Sequence, residues 1–302
     1  MATATAPDVT PRPVRLDPAL PAAEAWADAV RGEVHTALDW LQGGPARDVA
    51  TRIHEARRAC KRLRALLRLA EPAAPEALRE MRRWVGAAAR GLAPGRDAQV
   101  TADTLDALVS RYAGGLDTGA FAPLQRRLRA RVPVEVPERA VLDAVTTLES
   151  IVEALAETKA PRPDPDALRN GMVKTWRRAR RDAQAALADD AAESWHRLRS
   201  RVLVLANQAQ ALCEVTDDAL SGRERRLRRL AKCLGRAHDC SVLRARIADE
   251  PVAAPVARLL DTLLAADEQA HYCDAAPIAA RLFDPPVKRF ARRLARHWAS
   301  DD

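Results

Sequence analysis

Hydrophobic and polar residues alternate along this chain with the period of an α-helix, and four segments show the pattern most clearly. In residues 53–70, apolar side chains recur every three or four positions and occupy one side of a helical wheel. The other side carries basic residues within an arc of about 120°, with no acidic residue among them. Residues 78–92, 167–187 and 223–236 repeat this division. Because period-two runs of β-branched and aromatic residues are almost absent, the pattern predicts an all-α fold.

Proline and glycine clusters separate the predicted helices and divide the chain in two. The shorter breaks lie at 42–48, 71–76, 92–97, 113–123 and 132–138. The strongest is KAPRPDPD at 159–166, whose prolines cannot continue a helix. We therefore expect a linker at 159–166 between an N-terminal helical bundle, 23–158, and a C-terminal bundle, 167–300. The Pro-rich residues 1–22 are expected to form a disordered tail, and they lack the apolar stretch of a signal peptide.

The two predicted halves repeat each other at a fixed distance along the sequence. One offset of 142 residues relates a set of matched pairs: His54 with His196, Arg57 with Arg199, Arg90 with Lys232, Leu92 with Leu234, Asp97 with Asp239, and Val100 with Val242. A single offset without a gap across these pairs indicates an internal duplication. The duplication predicts two bundles related by a pseudo-twofold axis.

Each of the four clearest helices has a face on which all charged side chains are basic. An ordinary surface helix mixes signs through i,i+4 pairs, whereas like charges at this spacing cost a few tenths of a kcal/mol per pair. A bound anion would relieve that repulsion, so the basic faces are candidate binding residues. The candidates are His54, Arg57, Arg58, Lys61 and Arg64, on a face that also carries Arg68; Arg79, Arg82, Arg83 and Arg90; Lys174, Arg177, Arg178 and Arg181; and Arg225, Arg228, Arg229, Lys232 and Arg236.

The arrangement of these faces is open from the sequence alone. They either converge on one groove or point into solvent in different directions, and the duplicated frame favours convergence. Gly86 shares the basic side of its helix, so we expect a close approach to the backbone there. Trp84 and Leu187 are expected to face the core. The basic helix at 287–298 is expected to cap the fold with a solvated face, and contact with the anion or a membrane is the alternative.

The composition supports a binding role for the basic faces. The chain has 302 residues, 44 Arg and 5 Lys, a formal net charge of +8 and a pI of about 9.7. The planar fork of Arg donates bidentate hydrogen bonds to phosphate oxygens. Five cysteines without a CxxC pair fit a reducing cytoplasm. No apolar run is long enough for us to expect a membrane span.

The segment IHEARRACKRLRALLRL at 53–69 resembles the signature helix of the CHAD domains, the conserved-histidine α-helical domains. The family pattern has a His, an Arg three residues later, and Lys-Arg-x-Arg at seven to ten residues. It is matched by His54, Arg57, Lys61, Arg62 and Arg64. Further family elements are similar to GRDAQV at 95–100, WHRLR at 195–199 and AHDCSV at 237–242, so the resemblance covers about 25–300. It adds Arg62, Arg96, His196 and Arg199 to the candidate binding residues.

The resemblance implies two antiparallel helical bundles with internal symmetry that enclose a basic central channel. It also implies binding of inorganic polyphosphate, with no catalytic centre and no cofactor, on polyphosphate granules in the cytoplasm. The second half departs from the pattern, because Leu203, Val204 and Ala206 stand where the family carries Lys-Arg-x-Arg. We therefore expect an asymmetric site, with stronger binding on the side of the first half.

Two other functions are alternatives to polyphosphate binding. Nonspecific nucleic-acid binding fits the net charge, but no aromatic residues lie between the basic ones to form a base-stacking platform. A metal-dependent phosphohydrolase would need acidic residues that hold metal ions, and the basic faces contain none. Asp97 and Asp239 are expected to cap helices or to orient an arginine. His54 and His196 either donate hydrogen bonds to phosphate or bridge two helices.

Overall fold

The computed structural model describes residues 14–43, 48–115, 118–132, 137–157, 159–216 and 220–296, without the side chains of 94–96. Within these residues the chain is all-α and contains no strand, which confirms the predicted fold class. The α-helices are α1 (Ala22–Gln42), α2 (Val49–Leu69), α3 (Pro75–Gly91), α4 (Ala93–Tyr112), α5 (Ala122–Ala130), α6 (Glu138–Ala156), α7 (Pro165–Asp189), α8 (Ala192–Ala211), α9 (Ser221–Ala248), α10 (Ala254–Phe283) and α11 (Val287–Arg296).

The helices end close to the proline and glycine clusters. For example, α6 ends at Ala156, and the linker at 159–166 leads into α7. The cluster at 92–97 is the exception, because only Leu92 separates α3 from α4. Pro94 lies in the first turn of α4, where the backbone N–H groups have no intrahelical partner and proline is tolerated.

Aspartate side chains cap the two helices that carry much of the candidate site. Asp48 accepts hydrogen bonds from the backbone nitrogens of Ala50, at 2.8 Å, and Thr51, at 3.1 Å, at the start of α2. Asp164 accepts from the nitrogen of Ala167, at 2.7 Å, at the start of α7. Each cap satisfies N–H groups that the helix leaves without partners and stabilises it by about 1 kcal/mol.

Both hydrophobic clusters of the fold draw on both halves of the chain. The larger cluster includes buried residues from the two sides of the linker: Trp26, Leu63, Leu67, Trp176, Leu205 and Leu230. The smaller cluster is built by α4, α5, α9 and α10, with members such as Leu105, Leu124, Leu243 and Leu260. Burial of each such leucine contributes about 1.5–3 kcal/mol. The halves therefore share their cores, and the division into two bundles at 159–166 stays a prediction.

A close contact between the halves is formed at Gly171. A Cβ atom on this residue of α7 would lie 1.8 Å from the carbonyl oxygen of Leu69, at the end of α2. Only glycine permits this approach. A second tie lies nearby, where the Gln208 Nε2 of α8 donates a hydrogen bond to the Ala65 carbonyl at 3.2 Å. These contacts hold the C-terminal end of α2 against α7 and α8.

Two residues expected in the core are exposed instead. Trp84 is 41% exposed and Leu187 is 40% exposed. On α3 the buried line runs through Met81, Val85 and Ala88, and Trp84 lies about 100° away from Val85 around the helix. Leu187 lies two residues before the end of α7, beyond its last buried residue, Ala186. Both expectations were wrong because the apolar arc on each wheel is wider than the face that neighbouring helices cover.

The offset of 142 residues also relates the helix bounds. It places α2 on α8 within one residue, and it places both α3 and α4 on the single helix α9. The first half therefore has a break at Leu92 where the second half continues as one helix. A pseudo-twofold relation between the halves in space stays a prediction.

Candidate anion-binding site

One face of α2 carries a row of cations that we call the α2 track: Lys61, Arg64 and Arg68. These residues follow one another at i, i+3 and i+7, so they share a face and extend over about 10 Å of the helix. Neighbouring helices α3, α7 and α8 pack against α2. The rest of the site is therefore determined by the side chains that these helices place beside the track.

Arg64 lies against α3 at Gly86. Its Cζ lies 3.5 Å from the position that a Cβ on Gly86 would take, and the Arg90 Nη1 lies at the same distance. The close approach that we expected at Gly86 is therefore made by the chain's own guanidinium groups. Burial lowers the pKa of Arg64, and the positive charges of Arg82 and Arg90 lower it further. These three arginines therefore form a group of like charges between α2 and α3.

Arg68 lies near this group and near arginines of the second half of the chain. Burial lowers its pKa to about 10, together with the positive charges of Arg82 on α3, Arg201 on α8 and Arg178 on α7. Four helices thus bring arginines to one place. We call this group the arginine cluster, and its members are Arg64, Arg68, Arg82, Arg90, Arg178 and Arg201. Some members of the predicted basic faces of α2, α3 and α7 meet here, and Arg201 is the contribution of α8.

Two carboxylates border the arginine cluster within the described residues: the half-buried Asp182, whose Oδ2 lies 3.2 Å from the Arg201 Nε, and the buried Glu71. Glu71 lies 3.0 Å from the Arg82 Nη1, 3.6 Å from the Lys174 Nζ and 3.8 Å from the Arg79 Nε. The helical wheels place no acidic residue within the basic arcs. They do not include Glu71, because it lies in the loop between α2 and α3. It offsets part of the repulsion, but one negative charge is shared among several positive ones.

The other end of the α2 track meets a pair of histidines. The Nδ1 atoms of His196 and His238 lie 3.2 Å apart, so one imidazole donates and the other accepts. Burial and the charges of Arg199, His196 and Lys61 together lower the pKa of His238 to about 4. Burial also lowers the pKa of Arg199, while the nearby Asp239 carboxylate opposes that shift. The predicted residues Lys61, His196 and Arg199 therefore lie close together.

The duplicated aspartates lie next to the duplicated arginines. The Asp97 carboxylate lies 3.7 Å from the Arg57 Nη2, and the charge of Asp239 acts on Arg199. This agrees with the expectation that these aspartates orient an arginine. His54 is 40% exposed in its side chain, and its Nε2 lies 3.7 Å from Glu55.

Three predicted residues are held by other side chains away from the arginine cluster. The Arg62 Nε donates to the fully buried carboxylate of Glu33 on α1, at 2.6 Å. Arg228 donates to Glu224, Asn207 and Gln210, which tie α9 to α8. Arg58 forms an i,i+3 pair with Glu55 at 2.9 Å. Glu33, Asn207 and Gln210 lie on neighbouring helices, which a wheel of the helix itself does not display, whereas Glu55 and Glu224 lie on the same helix as their arginines.

The remaining predicted residues are not in the cluster. Those with exposed side chains on their helices are Arg79, Arg83, Arg177, Arg181, Arg225, Arg229, Lys232 and Arg236. Arg229 and Arg236 act on Cys233 together with Asp274 of α10, so the face predicted on α9 is divided between two neighbouring helices. The side chain of Arg96 lies outside the described residues. The residues that the sequence-based candidate set did not contain are Arg68, Arg201 and His238; Arg68 stood on a predicted basic face, and His238 in the AHDCSV element.

Comparison with known proteins identifies the class of this helical domain. The family model for the CHAD domain matches residues 24–248, so the chain belongs to the CHAD domain family, which confirms the resemblance read from the sequence. Two solved structures share the fold. The CHAD domain from the plant Ricinus communis has 17% identity and a TM-score of 0.67, over 91% of this chain and 96% of that one. PptA from Streptomyces chartreusis has 21% identity and a TM-score of 0.60, over 88% of this chain and 100% of that one.

Two further findings complete the picture of the site. No curated protein matches the sequence. Within the part of the chain that the structure describes, no helix is long and apolar enough to cross a membrane, and no group of three or more His, Cys, Asp or Glu side chains could hold a metal ion.

Proposed function

We propose that this chain binds inorganic polyphosphate through the α2 track and the arginine cluster, without catalysing its hydrolysis. The observation that carries the proposal is the assembly of six arginines from α2, α3, α7 and α8, which outnumber the two bordering carboxylates, Glu71 and Asp182. An arrangement of this kind is unfavourable in the free protein, because burial and mutual repulsion lower the pKa of Arg64 and Arg68. A bound polyanion would remove that penalty.

The chemistry of polyphosphate suits such a surface. Each phosphate unit carries about one negative charge, and Arg forks bind adjacent phosphate oxygens bidentately. Binding would release condensed counterions, so the affinity should fall as salt rises, as it does for nucleic acids. The α2 track offers cations in a row, which fits a linear ligand better than a compact one.

The site that we propose is asymmetric, as the sequence predicts. At the positions where α2 has Lys61, Arg62 and Arg64, α8 has the apolar residues Leu203, Val204 and Ala206. Ala206 is fully buried and the other two are half-buried. The second half therefore contributes through Arg178, Arg199 and Arg201 and adds no second track.

A competition titration tests the binding proposal. Labelled long-chain polyphosphate is bound to the purified chain and challenged with unlabelled polyphosphate, duplex DNA and single-stranded RNA, at low salt and near 150 mM. We expect polyphosphate to remain bound at the higher salt and to resist both nucleic acids. Equal competition by DNA or RNA would show a nonspecific nucleic-acid binder and refute the proposal.

The proposal includes two further parts that need their own measurements. We propose that the chain acts as a binding module, so incubation with polyphosphate should release no phosphate above a protein-free control. We also propose a place on polyphosphate granules in the cytoplasm. A fluorescent fusion should then follow the granules when cells accumulate polyphosphate and disperse when the polymer is degraded.

A further inference from the structure

A second group of arginines lies at the C-terminal helix, outside the arginine cluster. A cleft of about 430 Å³ opens between the start of α9 and α11. Its lining residues are Arg223, Pro285, Arg289, Arg293 and Arg296. Four of the five carry a guanidinium group, so the cleft concentrates positive charge in a concave place.

Arg223 is positioned by a buried aromatic stack. Its Cζ lies 5.7 Å from the centroid of the Phe290 ring, which is the geometry of a cation–π contact. The Phe290 ring in turn stacks on Trp176, with centroids 4.1 Å apart and planes 7° apart. Both rings are almost fully buried. Because this stack belongs to the core, it fixes the guanidinium of Arg223 at the wall of the cleft.

The other arginines face Arg223 from α11. Arg289, Arg293 and Arg296 follow one another at i, i+4 and i+7, so they share one face of the helix. Burial lowers the pKa of Arg223, and the charges of Arg293, Arg226 and Arg289 lower it further. Within the described ranges, none of the four lining guanidinium groups forms an ion pair with a carboxylate. Among the described residues, the cleft therefore has no buried carboxylate that offsets its positive charge, as Glu71 does in part at the arginine cluster.

The cleft is separate from the arginine cluster because the two lie on opposite sides of α7. Trp176, which supports the cleft, and Arg178, which belongs to the cluster, are two residues apart on that helix. They therefore point about 160° away from each other around its axis. A ligand that fills one site does not reach the other by following that face of α7.

We propose that this cleft is a second anion site, and that it takes a short phosphate chain such as pyrophosphate or tripolyphosphate. Forks from two helices can bind the oxygens of more than one phosphate at once. Among the residues that the structure describes, the lining contains no exposed aromatic ring on which a nucleoside base could stack, since Phe290 lies beneath Arg223 and is buried. An unsubstituted phosphate chain therefore fits the cleft better than a nucleotide does.

The test is calorimetric titration of the full chain with pyrophosphate, using two charge-matched variants of α11. One variant carries Arg289→Gln with Arg293→Gln, and the control carries Lys288→Gln with Arg292→Gln. All four side chains are exposed, so neither variant removes a core contact. We expect the first pair to weaken binding by about tenfold and the control pair by less than about twofold. Equal losses would mean that only the net charge of α11 matters, and they would overturn the proposal.

Two more variants separate this site from the arginine cluster and test the geometry. Arg64→Gln with Arg68→Gln should leave pyrophosphate binding at the cleft unchanged. If it abolishes binding while the α11 variant does not, pyrophosphate binds at the cluster and the cleft is no site. Arg223→Lys retains the charge but loses the planar fork, so it should weaken pyrophosphate binding about threefold. Wild-type chain that binds no pyrophosphate would also refute the proposal, whatever the outcome with long polyphosphate.

Discussion

Helices α2 and α8 occupy equivalent places in the duplicated sequence, yet they carry different side chains at the matched positions. At the offset of 142 residues the cations of the α2 track correspond to neutral residues of α8: Lys61 to Leu203, Arg64 to Ala206, and Arg68 to Gln210. Only the first turns of α8 retain the pattern, with His196 and Arg199. One helix carries cations along its length, and the other carries them near its N-terminal end.

The C-terminal part of α8 serves packing instead. Gln208 is fully buried and donates to the Ala65 carbonyl of α2, while Asn207 and Gln210 accept hydrogen bonds from Arg228 of α9. Polar side chains at these positions therefore hold two neighbouring helices in place. The comparison teaches that a duplication can preserve the positions of helices while one copy supplies ligand contacts and the other supplies support.

The largest expected effect comes from separating α2 from the second half. Gly171→Ala would place a Cβ atom 1.8 Å from the Leu69 carbonyl oxygen, so the helices must move apart. We expect a loss of about 3 kcal/mol or more in the free energy of unfolding, and a Tm lower by about 6 °C or more. Gly235→Ala on α9 is the control, because a Cβ there meets no atom within 4 Å. Equal melting of the two variants would show that this contact is not close.

A second variant removes two of the three cations of the α2 track without disturbing the core. Arg64→Gln with Arg68→Gln should weaken polyphosphate binding about tenfold or more, which corresponds to about 1.4 kcal/mol. The free protein should melt at the same temperature or higher, because burial and like charges oppose these cations in the folded state. Arg139→Gln with Arg281→Gln removes the same charge from exposed positions on α6 and α10. A comparable loss of affinity in that control would contradict a localised site.

Exchanging one residue between the two helices sharpens the comparison. Lys61→Leu gives α2 the residue of α8 and should weaken polyphosphate binding about threefold through the loss of one phosphate contact and its counterion. Leu203→Lys gives the half-buried position of α8 the residue of α2 and should strengthen binding by a similar factor. Both affinities are measured as a function of salt. A Leu203→Lys variant with unchanged affinity would show that this part of α8 faces away from the ligand.

The smallest effect concerns the histidine pair at the start of α8. The pKa of His238 is lowered to about 4 in the folded chain, against about 6.5 in the unfolded chain. Between these values the unfolded chain binds a proton that the folded chain excludes, so the stability of the free protein decreases as the pH falls from about 6.5 towards 4. His238→Gln should reduce the fall in Tm between pH 7.5 and 5 by about 1–2 °C. An unchanged pH dependence would show that His238 titrates normally.

Much of the fold could be predicted from the sequence, because the helical period and the proline clusters act locally. The breaks near 42–48 and 159–166 and the basic faces of α2, α3 and α7 follow from residue spacing alone. The partners of individual cations do not, since Arg62 meets Glu33 on another helix and Arg82 meets Glu71 from a loop. A step of one residue turns a side chain by about 100°, which is enough to direct it to a different neighbour.

The same limit explains the mixed outcome on α9. Its predicted basic face spans an arc wide enough to meet α8 at Arg228 and α10 at Arg236, which acts on His271. His238 could not be assigned a partner from its own segment, because His196 lies 42 residues away in the sequence. Long-range neighbours of this kind are a property of the packed helices.

The sharing of both hydrophobic clusters has a consequence for how the chain comes apart. Neither half contains a complete core, so residues 23–158 or 167–300 expressed separately should not fold into a stable product. Cleavage within 159–166 by a protease should leave two pieces that stay associated, because Trp26 and Trp176 belong to one cluster and Leu105 and Leu243 to another. Denaturant should then release both fragments in one cooperative transition, and the separated fragments should restore the fold only when they are mixed.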